Sequence, residues 1–206
     1  MTLKFFLAGC ICAVLLATSH AKPALANVSC GPWTPSSNGP EQLCAAGIPS
    51  SLLDVTAHDR QQASEWCWAA SISGIFAYYG HPLSQKEIVR QAYGAIGNFP
   101  GTPLAILESL NRSWTDEGGR TFTSTATIYA DKFTAAQDLA RDEPLIVGSL
   151  GHAMILTAVS YTRYPDGDGF IQTAEVRDPW PYNAQRRALS PQEIAGASML
   201  IRIRVR

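Results

Sequence analysis

The hydrophobic rhythm of this chain switches part-way along, and the switch limits its fold more than any other feature. Over 67–79 apolar residues recur at helical spacing with an Ala/Ile/Phe face, stopped by Gly80 and Pro82. A second helix is predicted over 84–92, opening on the capping-box pattern Ser84-x-x-Glu87 and ending at Gly94. A third is predicted over 102–111, with Pro103 in its first turn. Beyond residue 121 strand signals take over, at 122–130, 145–150, 153–161, 170–177 and 199–205. Two helices interrupt them, at 132–141 and 191–195. Helices first and antiparallel strands later predict an α+β domain of two lobes, a helical N-terminal lobe and an antiparallel β C-terminal lobe. The prolines Pro32, Pro35, Pro40 and Pro49 predict an irregular extension over 27–57, so the domain proper is expected over 58–206.

The N-terminus has the form of an export signal. Lys4 precedes an apolar run over 5–17, too short to span a bilayer comfortably. Small-x-small patterns place cleavage after Ala26 or after Ala21, with Leu7-Ala8-Gly9-Cys10 a competing lipoprotein pattern. No later run approaches the ~18 apolar residues of a spanning helix, so no stable membrane association is expected. The net charge is −1 and no basic patch points to nucleic acid. Arg202, Arg204 and Arg206 alternate with Ile201, Ile203 and Val205, as on the solvent face of a strand.

Of five cysteines, Cys10 and Cys12 fall in the signal, leaving Cys30, Cys44 and Cys67. Export implies an oxidising compartment. Cys30 and Cys44 share one Pro/Gly/Ser-rich stretch and could close a loop of about 15 residues, stabilising by about 3 kcal/mol in the chain-entropy picture. Cys67 is then the odd thiol, which is either reactive or a buried inert side chain.

The surroundings of Cys67 favour chemistry. It stands between Trp66 and Trp68 at the start of a predicted helix, where the dipole and unpaired N–H groups favour a thiolate. Gln61, one short loop upstream, is placed to point its amide at the oxygen of a carbonyl under attack. A thiolate needs a proton partner, and histidine is the natural one near neutral pH. His58 precedes the helix, His81 sits at the Gly80-His81-Pro82 stop, and His152 follows Gly151 and opens an apolar strand. By position alone His152 is equally a satisfied core histidine. Asp178 ends the strand that a hairpin lays beside that of His152, where a carboxylate could accept the ring N–H; Asp178-Pro179 is also an ordinary turn opening. Trp180 could cover the His–Asp bond.

Gln61-x5-Cys67-Trp68-Ala69, then Gly151-His152-Ala153, then Asp178-x-Trp180, resembles a papain-like cysteine peptidase of the compact bacterial group that includes plant-pathogen avirulence proteases. The Gly-His and Val176-x-Asp178-Pro179 contexts are also similar to bacteriocin-processing peptidases of the same clan. The likeness covers roughly 58–182 in motif order. It implies that Cys67 is the nucleophile and His152 its general base and acid. It implies further that Asp178 orients His152, that Gln61 and the Cys67 N–H form the oxyanion hole, and that Trp180 shields the pair. Ser64-Glu65-Trp66 replaces the Cys-Gly-Ser of the papain signature, and Asp178 stands where papain has asparagine. Gln62 is the alternative oxyanion donor.

The expected substrate is a protein or peptide, cut through a thioester acyl-enzyme. An amidase, deamidase or transglutaminase-type transferase on the same triad, or a silent binding module on the same fold, are the alternatives. No cofactor or metal is expected: the histidines lack zinc spacing, and Asp166-x-Asp168-Gly169 has only the opening of a calcium loop. A proteinaceous inhibitor or immunity partner is left open.

Overall fold

A computed structural model describes residues 28–49, 53–54, 56–57, 59–129 and 131–206. The expected export signal over 1–26, both cleavage positions, the lipoprotein pattern and His58 lie outside these residues. Nine strands and five helices are described. The strands are β1 (Ser29–Ser36), β2 (Gly39–Gly47), β3 (Arg112–Thr115), β4 (Thr121–Tyr129), β5 (Leu145–Ser149), β6 (His152–Arg163), β7 (Gly169–Arg177), β8 (Arg186–Ala188) and β9 (Ala197–Val205). The helices are α1 (Cys67–Tyr78), α2 (Gln85–Tyr93), α3 (Pro103–Leu110), α4 (Lys132–Leu139) and α5 (Pro191–Ala195).

All strands join one sheet in the order β1-β2-β6-β5-β9-β4-β3, with β7 and β8 on the other edge of β6. Every pairing is antiparallel. The fold is therefore α+β, with the helical run before the strand-rich half. β6 is the shared strand: its start pairs with β5, its far end with β2, and β7 runs along its other side. β5 is buried throughout, which explains its unbroken apolar run.

Helices cover both faces of this centre. Ile146, Ile155 and Ile201 are direct cross-strand neighbours and share a face. α1 packs there because Gly74 has no side chain: a Cβ on it would sit 2.8 Å from Ile155 Cδ1 and 3.1 Å from Ala57 Cβ. Leu145 and Leu156 lie on the opposite face. α4 covers it, and the buried Asp138 of α4 accepts Arg202 Nε of β9 at 2.7 Å.

The stretch 27–57, expected to be irregular, instead holds the β1–β2 hairpin. Cys30 and Cys44 are cross-strand partners and are disulfide-bonded. Pro32 and Pro35 are tolerated because β1 is an edge strand whose pairing slips between Cys30 and Trp33, and Pro40 lies on β2 before its pairing with β6 starts at Gln42. The capping box expected at Ser84 is half formed. Ser84 Oγ accepts Glu87 N, but the Glu87 carboxylate turns to Arg90 and Gln91. The complete box is at Ser190 and Glu193. Asp166-x-Asp168-Gly169 is a turn, its carboxylates accepting the backbone N–H groups of Asp168 and Gly169. Among the described residues no helix is long and apolar enough to cross a membrane, and no group of three or more His, Cys, Asp or Glu has metal-ligand geometry.

Candidate active site

Cys67 is the first residue of α1, and its helix begins differently from the others. The N-cap of α1 is Trp66, which has no oxygen to offer and makes no side-chain cap. The other four described helices are capped by Ser84, Thr102, Asp131 and Ser190. The first N–H groups of α1 have no acceptor within the helix, so this terminus is left open for a charge outside it. The flanking tryptophans hold the thiol in place. Trp66 Nε1 donates to Gly97 O at 2.9 Å and Trp68 Nε1 to Phe99 O at 3.1 Å. A Cβ on Gly101 would lie 2.4 Å from Trp68 Cγ, so the loop over 94–101 closes directly on that ring. Both indoles are buried while Cys67 between them is partly exposed, and among the described residues it is the free cysteine.

His152 opens β6 after a two-residue turn in which Leu150 and Gly151 have φ of 50° and 80°. This double left-handed turn suits the twist of a tight hairpin. It starts β6 directly at His152, paired across the ladder with Ser149. His152 Nε2 lies 2.7 Å from Asp178 Oδ1. The Cys67 side chain also interacts with the ring, and with Nε2 on the carboxylate, Nδ1 is the nitrogen left for the thiol. Burial alone would push the imidazole down. The hydrogen bonds and charges of Asp178 and Cys67 outweigh it and raise the ring to about 9.

Asp178 is 1% exposed and every side of its carboxylate is occupied. Oδ1 accepts His152 Nε2 and, at 2.8 Å, the Trp180 N–H. Oδ2 accepts Asn183 Nδ2 at 2.7 Å and Arg187 Nε at 2.7 Å. Burial opposes ionisation here, but these four donors hold the carboxyl well below its ordinary range. The Trp180 ring stands edge-on to His152 at 6.3 Å between centroids.

The loop before α1 is stitched to the loop after β7. Gln61 N donates to Pro179 O at 2.9 Å, and Arg60 Nη1 to Asp178 O and Trp180 O at 3.0 and 2.9 Å. The Gln61 side chain is buried. Its Nε2 lies 2.9 Å from Ala63 O and 2.9 Å from Ser64 O, and among the described residues its Oε1 has no hydrogen-bond partner. The amide thus braces the turn leading into Cys67. Gln62 is exposed, and its backbone N–H donates to Gln85 Oε1 at 3.0 Å.

Sequence reasoning missed Asn183, Arg187 and Arg60, none of which has a motif of its own. One signal was available: Ser190-Pro191-Gln192-Glu193 is a capping-box pattern, and Glu193 holds Arg187 with both carboxylate oxygens, at 2.6 and 2.9 Å. His81 belongs elsewhere. It bonds Asp116 Oδ2 at 3.0 Å and stacks on Phe122, bracing the β3–β4 turn against the end of α1.

An antiparallel α+β fold that brings a helix-terminal cysteine to a histidine and a buried carboxylate defines a papain-like cysteine peptidase. A family model described as papain-like cysteine protease AvrRpt2 matches residues 49–192, and the chain belongs to that family. No curated protein sequence matches it. Among solved structures it is similar to a double glycine motif protease from an AMS/PCAT transporter, crystallised in complex with the leader peptide. The identity is 14% and the TM-score 0.46, over 70% of this chain and 87% of that one.

Proposed function

We propose that the chain is an exported peptidase that hydrolyses peptide bonds with Cys67, His152 and Asp178 as its catalytic triad. The observation that carries this reading is the 2.7 Å contact of His152 Nε2 with the buried Asp178 carboxylate, with the free Cys67 at an uncapped helix start acting on the same ring. The Cys30–Cys44 disulfide supports an oxidising destination.

The reaction begins as the Cys67 thiol gives its proton to His152, forming a thiolate that faces an imidazolium. The thiolate attacks the scissile carbonyl carbon, and the carbonyl electron pair moves to oxygen. That oxyanion meets the uncapped N–H groups of α1, the Cys67 N–H first among them. Gln61 joins the hole by exchanging one of its two carbonyl contacts for the oxyanion. When the tetrahedral adduct collapses, the C–N bond breaks and His152 gives its proton to the departing amine, leaving a thioester. His152, now neutral, takes a proton from water as the water attacks the thioester carbonyl. The acid product leaves, and the thiolate and imidazolium are restored. Asp178 keeps the ring oriented through both halves, and Trp180 limits access of water to the His–Asp bond.

The test is the rate of iodoacetamide alkylation at Cys67 as a function of pH, with products of a peptide library read by mass spectrometry. Alkylation well above that of a model thiol below pH 7, and cleaved peptides that vanish in Cys67→Ala, are expected. A Cys67 no more reactive than the model thiol overturns the reading. Amine-coupled rather than hydrolysed products would reassign the acceptor.

A further inference from the structure

The carboxylate behind His152 is not a lone acceptor; it is one link in a charge chain that ends at a helix cap. Arg187, on β8, gives Nε to Asp178 Oδ2 at 2.7 Å. Its two terminal nitrogens go to Glu193, and Nη2 also approaches the Met154 sulfur at 3.3 Å. The guanidinium is therefore fixed on every side, with the side chain only 19% exposed. Glu193 in turn accepts Ser190 N at 2.7 Å, closing the capping box of α5. The same helix is pinned beside His152. Ser149 Oγ donates to Glu193 O at 2.7 Å, and Ser149 is the ladder partner of His152.

We propose that Arg187 is a positioning residue of the reaction: through Asp178 it fixes the His152 ring and offsets part of the carboxylate charge that the ring feels, while Glu193 sets how much of that offset remains. This rests on the triad reading. An aspartate with only backbone and amide donors would orient His152 just as well. A buried cation on its second oxygen does something further, because it opposes the imidazolium that Asp178 stabilises. Two opposing charges in sequence give a graded control over how readily His152 holds its proton. That balance matters because His152 must give a proton in one half of the reaction and take one in the other.

Among the described residues, four titratable or charged groups are tied to the ring directly or in series. Cys67 faces it from α1, Asp178 from the end of β7, Arg187 from β8 and Glu193 from α5. Arg60, from the loop before α1, spends Nη1 on the carbonyls of Asp178 and Trp180. The Glu193 carboxyl is lowered to about 2, first by the Arg187 hydrogen bonds and against its own burial, so it stays charged throughout the working range.

The experiment titrates the His152 ring by NMR in the wild-type chain, Arg187→Gln, Arg187→Lys and Glu193→Gln, and measures Cys67 alkylation in the same samples. Arg187→Gln removes the cation, so the ring titrates higher by about one pH unit. Glu193→Gln frees the cation, so the ring titrates lower by a similar amount, and Arg187→Lys returns towards wild type. Opposite shifts support the inference, because a merely structural role would not change sign between the two variants. Shifts of the same sign, or no shift in either, overturn it. If Arg187→Gln fails to fold, Glu193→Gln alone decides by its downward shift or the lack of one. The readouts separate the two claims: an unreactive wild-type Cys67 overturns the triad reading, whereas unmoved His152 titrations overturn only the role of Arg187.

Discussion

Ser71 Oγ lies 3.3 Å from Ala153 O and so ties the helix bearing Cys67 to the strand bearing His152. Ser71 sits one turn beyond Cys67, and Ala153 is the residue after His152. This contact and the close approach at Gly74 both register α1 on β6 beside the site. The distance between thiol and imidazole is thus set by packing a turn or two away from the chemistry.

Gly74 gives the sharper test of that registration. A valine there places branched carbons where one Cβ already meets Ile155 Cδ1 at 2.8 Å. The expected cost is about 1–3 kcal/mol from overpacking, with a drop of tenfold or more in kcat/KM as α1 is pushed off β6. Ser71→Ala loses one hydrogen bond and is expected to cost about 1 kcal/mol with a smaller loss of activity. Thermal melts beside peptide kinetics check both. A Gly74→Val enzyme with full kcat/KM would refute packing control of the site.

The pH dependence follows from the direction in which each partner moves. His152 is raised to about 9, so its folded-state gain is fully present below about pH 6.5 and is lost as pH rises through about 9. Asp178 is depressed, so its contribution is present above the ordinary carboxylate range and is lost as pH falls below it. In kinetics, the imidazolium that protonates the leaving amine disappears over the same alkaline window. The alkaline limb of kcat/KM is expected to fall with a midpoint of about 9. A limb centred near the ordinary imidazole value would show that Asp178 does not stabilise the imidazolium.

Asp178 should respond differently to two substitutions. Asp178→Asn keeps the side chain's shape but removes the charge that holds up His152 against its burial. The alkaline limb should then move to lower pH, with kcat/KM down by one to two orders of magnitude. Asp178→Ala also leaves Arg187 Nε and Asn183 Nδ2 without their acceptor, although Glu193 still pairs the guanidinium, and an unsatisfied buried donor costs about 1–3 kcal/mol. Denaturant unfolding of the two variants checks this. Equal stability for Asn and Ala would mean that the Arg187 Nε and Asn183 amide donors are satisfied without a side-chain acceptor at 178.

Much of the site was legible in the sequence, for a physical reason in each case. Cys67 stood out as the odd thiol at the start of a predicted helix, and the structure adds that Trp66 leaves that helix uncapped. His152 could be placed at a strand start after Gly151, and the structure shows that Leu150 and Gly151 close a tight left-handed turn there. Asp178 could be placed because a hairpin sets its neighbours by register. Arg187 and Asn183 were invisible, because their partners are fixed by the path of the chain after β7 rather than by any periodic pattern. The β1–β2 hairpin was hidden by prolines that an edge strand tolerates. Gln61 stands out in the sequence as an oxyanion donor, but its contacts with the Ala63 and Ser64 carbonyls depend on a turn whose geometry no spacing rule encodes.

That hairpin gives the last test. The disulfide joins cross-strand partners at a sequence separation of 14, so its loss should cost about 3 kcal/mol by the loop-entropy estimate. The hairpin pairs with the far half of β6, from Ala158 to Arg163, whereas His152 is at its start. It also lies before residue 49, where the family match begins. The double variant Cys30→Ser with Cys44→Ser should therefore melt several degrees lower and yet keep its wild-type kcat/KM at temperatures where it is folded. Melting curves and peptide kinetics on the same preparation separate the two effects. If kcat/KM fell while the fold held, the hairpin would have to act on the site itself, through the strand it shares with His152.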